Sequence, residues 1–327
     1  MTSPPNRNVL FSAPSFMFLF ILLGMSVSHA EENLIIFGGG GPGGVFAPIV
    51  NSICTEISLS KSTRKRCQPI VTGGSMHNLL GVLSGELDVG LTMPALINDA
   101  YNGQAYFSGV GQQNQLRTIA ALYSQPIGIL VKKNSDIKGT ADFKGKSISI
   151  GPEGSGRREI ANILFKYMGW SVDDFSNVYE YTTKEMTQAF CDNKLDILIQ
   201  VFGFPGKFYD KIQKKCDAKF LSLSSELINE IHIQNKFYKK TFITSNLLPN
   251  NDKDIYTLEM DVVLVTRDDV PNEVVHTLLD TIFTLSDNVY DYHRAIEASY
   301  FSNNEFFEKA SGAPLHRESL RFIKRTK

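Results

Sequence analysis

Three glycine-rich turns hold the residues best placed to do chemistry: Gly38 to Gly44, Thr72 to Ser75, and Gly151 to Gly156, the last followed at once by Arg157 and Arg158. Each follows a short apolar run that reads as a strand and precedes a stretch with helical periodicity. A helix start exposes unpaired N–H groups and a partial positive charge, so it favours carboxylates and phosphates, and glycine lets such a ligand approach the backbone. Ser75 and Ser155 stand at two of these starts and are read as hydroxyl donors toward a ligand. Arginine at a helix start is disfavoured by the macrodipole, which gives the Arg157–Arg158 pair a reason other than helix stability. One of the two is expected to donate a bidentate pair of hydrogen bonds to a carboxylate. Successive helical positions are about 100° apart, so one arginine should face the ligand and the other solvent.

Other chemistries fit less well. Gly39-Gly-Gly41-Pro-Gly-Gly44 satisfies G-x-G-x-x-G, but the next strand ends at Val71-Thr72-Gly73, without the acidic residue that holds a ribose. The turn also lacks the Gly-Lys-Ser/Thr ending of a nucleotide-hydrolysing loop. Neither Ser75 nor Ser155 completes G-x-S-x-G, and the histidines at 77, 232, 276, 293 and 316 are scattered. A formal net charge of -1, with only the short basic run Lys61 to Arg66, argues against a nucleic-acid partner. No cysteine pair has Cys-x-x-Cys spacing and no histidines flank them, so no metal and no cofactor is expected.

The elements that must position these turns read as strand–helix–strand units building a mainly parallel sheet. Expected strands cover 34–37, 68–71 and 88–92, with an apolar segment at 116–122. The pattern restarts at Pro126 with strands at 127–132, 147–150 and 195–201, and the chain returns through a β-rich run at 256–266 and a helix from Pro271 to about Asp287. Ahead of them, Arg7 precedes an apolar run from Phe16 to Val27 that ends in Ser28-His29-Ala30. The run is too short for a spanning helix of about 20 residues, so residues 1–30 are expected to be a signal peptide cut near Ala30. Cys54 lies well beyond that cut, so no lipid anchor is expected. Four cysteines in an exported chain point to two disulfides; of three connectivities the sequence-local one pairs Cys54 with Cys67 and Cys191 with Cys216. The expected lobes are 31–123, 124–260 and a return of 261–327 to the first.

Across nearly all of residues 31–327 the chain resembles the TAXI class of solute receptors for tripartite ATP-independent periplasmic (TRAP) transporters. The resemblance rests on the order and spacing of GGGGPGGVFAPIVNSIC, VTGGSMHNLLGVLSGELDVG, DAYNG, LRTIAALYSQP, DFKGKSISIGPEGSGRR, FCDNKLDILIQVFGFP and SGAPLH. It implies an α/β fold like that of type II periplasmic binding proteins, two α/β lobes with a ligand cleft between them. It also implies a periplasmic, monomeric receptor, not an enzyme, that hands an acidic amino acid or dicarboxylate to an ion-driven TRAP permease. By motif position Gly43, Gly44, Val45 and Phe46 would form one wall of the site, with Thr72, Gly73 and Ser75 beside them and with Met93 and Tyr123. Gly154, Ser155, Gly156 and Arg158 would close from the second lobe, Arg158 aligning with the motif arginine. The chain departs from the family at Val45-Phe46-Ala47-Pro48, Met93-Pro94-Ala95 and Ser124-Gln125, where hydroxyls, phenols and a carboxylate are usual. Those departures point to a less polar or more acidic solute. A sensor that presents its solute to a membrane signalling protein and an exported enzyme of carboxylate metabolism are the alternatives.

Overall fold

The computed structural model describes residues 33–201, 203–204, 206–284 and 305–326. The expected signal peptide and the far end of the helix expected to reach Asp287 lie outside the described residues.

The chain begins with strand β1 (Leu34–Gly38), helix α1 (Phe46–Leu59), β2 (Arg66–Ile70), α2 (Ser75–Ser84), β3 (Val89–Thr92) and α3 (Pro94–Asn102). Helix α1 buries Ile49, Val50, Ile53, Cys54 and Ile57, the stripe that a 3.6-residue period places on one face. Each of the larger apolar side chains in it contributes about 1.5–3 kcal/mol by leaving water. Strand β2 lies at the sheet edge, and its mostly exposed pattern and Pro69 suit that position.

The long strand β4 (Leu116–Lys132) leads to β5 (Ser147–Ser149), α4 (Gly156–Met168), β6 (Asn177–Tyr179), α5 (Thr183–Cys191), β7 (Ile197–Val201) and α6 (Lys207–Cys216). Next come β8 (Ala218–Leu221), α7 (Ser225–Gln234), β9 (Lys239–Ile243), a second long strand β10 (Ile255–Arg267), α8 (Asn272–Thr284), a helical turn at Glu305–Glu308 and α9 (Arg317–Thr326).

The strands hydrogen-bond in the order β2-β1-β3-β10-β4-β7-β5-β6, with β8 on β4 and β9 on β10. The expectation of a mainly parallel sheet is corrected here. β1 pairs in parallel with β2 and β3, and β5 with β6 and β7, but β4 and β10 run antiparallel to every neighbour. The expected restart at Pro126 is also corrected. β4 runs unbroken through Pro126, which faces Glu259 of β10, and it exchanges β10 for β7 and β8 from Ile127 onward. β4 therefore pairs with β10 over residues 116–126 and with β7 and β8 over 127–132, so antiparallel strands link the two parallel parts of the sheet. Ser124 and Asp261 face each other in this ladder; the serine hydroxyl donates to Asp261 Oδ1 at 2.8 Å, and Lys239 Nζ donates to Oδ2 at 2.5 Å.

Strands β3 and β7 are buried at every position because helices cover both faces of each half-sheet, which is why they read as continuous apolar runs. Disulfides join Cys54 of α1 to Cys67 of β2 and Cys191 at the end of α5 to Cys216 at the end of α6, the sequence-local pairing. Lys132 Nζ donates to the carbonyls of both Cys191 and Cys216, placing a cation at two helix C-termini, where the dipole favours it. No described helix is long and apolar enough to cross a membrane.

Candidate functional site

Four helix starts meet at one cavity of about 350 Å³, which is at the small end of the 300–1,000 Å³ or so typical of small-molecule sites. α1 and α2 reach it from the first half, α4 and α5 from the second. A buried side chain on α2 sets the first wall. Asn78 Nδ2 donates to the carbonyls of Gly39 (2.6 Å) and Leu91 (2.8 Å), so it ties the first turn to the end of β3. The Thr72 hydroxyl lies within reach of both Asn78 Oδ1 and Gly39 O, and accepts from Gly74 N, which fixes the second turn to the first.

The two halves touch beside the cavity. Met76 N, in the first turn of α2, donates to Gly154 O at 3.1 Å. Gly154 has a φ of +76°, and a Cβ there would sit 2.4 Å from the His77 ring; a Cβ on Gly156 would sit 2.9 Å from Ser75 Oγ. Glycine is favoured at Gly154 because its φ is positive and the His77 ring lies against its backbone.

From the first two turns, Gly44, Val45, Phe46, Thr72, Gly73 and Ser75 line the cavity, and from the third, Ser155 and Gly156. Gly43 does not line it; its φ is +86°, and a Cβ there would point toward Thr183. Gly154 is taken up by the contact with His77. Met93 is 1% exposed and caps the start of α3 within the core, its methyl directed at Gly156. Tyr123 is wholly buried in β4, and burial pushes its phenol pKa up.

Arg158 does not line the cavity: its Nε and Nη2 donate to Gly151 O, and Nη2 pairs with Glu180 at 2.5 Å. Arg157, one position and about 100° earlier, lines it instead. It is 5% exposed; Nη1 contacts Met186 Sδ and Nη2 donates to Tyr181 O, both at 2.6 Å, while Nε has no partner among the described residues. Burial lowers its pKa to about 10.

Two cavity features escaped the sequence reading, the start of α5 and Gln200, and Gln125 was noted there only as a departure from the family. α5 opens at Thr182 with a capping box, its hydroxyl accepting from Glu185 N while the Glu185 carboxylate accepts from Thr182 N. The spacing Thr182-x-x-Glu185 is a legible sign of such a start. Gln125 and Gln200, each 2% exposed, come from adjacent strands β4 and β7, and a lone glutamine inside an apolar strand was the available signal. Gln200 Oε1 accepts from Val201 N, and its Nε2 has no partner among the described residues. Among the described residues no cluster of His, Cys, Asp or Glu could hold a metal.

The NMT1-like family is matched over residues 37–325, which is most of the chain and takes in both halves of the cavity. The chain belongs to the NMT1-like family. Among solved structures, this NMT1-like protein is similar to the alkanesulfonate-binding protein SsuA from Xanthomonas axonopodis pv. citri bound to MOPS. The TM-score is 0.50 at 13% identity, covering 90% of this chain and 91% of that one. It is similar also to a protein from Bordetella bronchiseptica RB50, with a TM-score of 0.51 at 15% identity over 90% and 89% of the two chains. At such identities the likeness shows the fold alone, an α/β fold with a mixed sheet and helices.

Proposed function

We propose that this NMT1-like protein is an exported receptor that captures a small anionic solute between two lobes and delivers it to a membrane permease. The observation that carries this reading is the convergence of four helix starts, two from each half, on one cavity. A solute touching both halves binds the closed form better than the open form and so populates it, and a permease can read that difference. Residues 31–123 and 261–327 form one lobe and 124–260 the other, with the boundaries in β4 and β10. Residues 1–30 are the signal peptide, the working compartment is the periplasm, and the receptor acts as a monomer. The resemblance to TAXI receptors supports a TRAP permease as the partner and a carboxylate as the solute. Binding is favoured over turnover because the described residues lining the cavity include no histidine, cysteine or carboxylate to serve as a base.

The test is a thermal-shift screen of the purified protein against small anions, neutral sugars and cations, with native mass spectrometry of whatever co-purifies. A ligand at 100 times its Kd stabilises the native state by about 2.7 kcal/mol, which moves the melting temperature measurably. Stabilisation by sugars or cations alone overturns the anion reading, and no stabilisation by any solute overturns the receptor reading.

A further inference from the structure

The charge and the walls of the cavity say more about the solute than the helix starts do. Arg157 is the one charged residue among the described residues lining it, and no carboxylate of the described chain pairs with its guanidinium. A buried charge without a partner is expensive, and removing it from water is offset only by an opposite charge at close range. Gln200 adds a second buried donor, Nε2, that the described protein leaves unsatisfied. The rest of the lining includes Pro42, Phe46, Val71, Pro152 and Val201, which offer apolar surface.

From this geometry we infer that the solute is an organic monoanion, one acidic head group on an apolar body, with the head held by Arg157 and the Gln200 amide. The inference rests on the receptor reading above and narrows it. A dicarboxylate would bring a second charge for which the described lining has no cation, and the start of α5 already carries its own carboxylate, Glu185. An amino acid would bring an ammonium group, for which the described lining has no carboxylate.

Isothermal titration against matched solutes tests this. One set is hexanoate, adipate, 2-aminohexanoate and hexanamide, with hexanesulfonate to separate a planar from a tetrahedral head. A second set carries the same heads on a phenylpropyl body. Within at least one set the monoanion should bind about tenfold or more tighter than the diacid, the amino acid and the amide. Arg157→Gln should weaken monoanion binding by about 10- to 150-fold, the cost of one charge-assisted bond, and leave amide binding unchanged. Arg157→Lys should recover part of the loss, because lysine keeps the charge without the planar fork. Should the Arg157 variants not fold, Gln200→Glu serves, since a carboxylate in the cavity should abolish monoanion binding.

If the diacid or the amino acid binds as tightly as the monoanion, the monoanion inference is overturned while the receptor reading stands. The same holds if monoanion binding survives both Arg157→Gln and Gln200→Glu. If nothing in either set or in the wider screen binds, both readings fall.

Discussion

Replacing Arg157 with methionine should make the solute-free protein more stable and the solute-bound protein less so. Burial lowers the pKa of Arg157 from 12.5 to about 10, and at 1.36 kcal/mol per pKa unit this places the cost of keeping it charged at about 3 kcal/mol. The folded-state pKa of a base is depressed here, so the cost is fully present at neutral pH and is relieved only as pH rises above about 10. Methionine is flexible and apolar and fills the same space without a charge. It forfeits the charge-assisted bond from Nη2 to Tyr181 O, worth about 2 kcal/mol, so the net gain is about 1 kcal/mol. At roughly 2–4 °C per kcal/mol for a chain of this class, the melting temperature should rise by about 2–4 °C. The assay is calorimetry on protein stripped of solute by unfolding and refolding with its disulfides intact. The rise should be the same from pH 6 to pH 9. With a binding solute at 100 times the wild-type Kd, wild type gains about 2.7 kcal/mol and the variant, binding about 10- to 150-fold more weakly, about 0.3–1.4 kcal/mol. That difference outweighs the variant's head start of about 1 kcal/mol, so the order of melting temperatures reverses. An unchanged or lowered melting temperature in the stripped variant would refute the reasoning, because it would mean the buried guanidinium is already compensated.

Arg158→Ala should leave solute affinity nearly unchanged and cost about 1.5–3 kcal/mol, mostly from the lost charge-assisted bonds to Gly151 O, since the pair with the exposed Glu180 adds little; titration beside Arg157→Gln checks the affinity and thermal melting the stability. Gly154→Ala should weaken binding and lower the melting temperature by imposing a strained φ and a clash with His77, and Gly154→Ala/His77→Ala should recover only the clash component. Reducing the Cys54–Cys67 and Cys191–Cys216 bonds should destabilise by about 3 kcal/mol each on a chain-entropy estimate, and non-reducing peptide mapping should return those two pairs and no free thiol. Burial raises the pKa of the Glu159 carboxyl on α4, against the opposing pull of the Arg158 charge and with Asp99 on α3 adding to the effect. The folded-state pKa exceeds the unfolded one, so the penalty is present at neutral pH and is lost as pH falls through the folded value; Glu159→Gln should stabilise at pH 7 and do nothing at pH 4.

The periodicities and turns settled much of this protein before any tertiary contact was considered. Strands β1 and β3, helices α1 to α3, and the glycine turns into α1, α2 and α4 follow from local patterns, since apolar alternation and turn chemistry act over a few residues. The disulfide pairing was legible for the same local reason, each pair closing a short stretch of chain. Sheet direction was not legible: β4 and β10 are apolar runs like their parallel neighbours, and only pairing across more than a hundred residues makes them antiparallel and carries β4 straight through Pro126. Helix phase at the third turn was equally hidden. Arg157 and Arg158 share a propensity and a place in the chain, and a rotation of about 100° decides which one is buried. That rotation is set by the packing of Ile160, Ala161 and Leu164 against the core, so tertiary structure alone chose Arg157 for the cavity and bound Arg158 to Gly151 and Glu180.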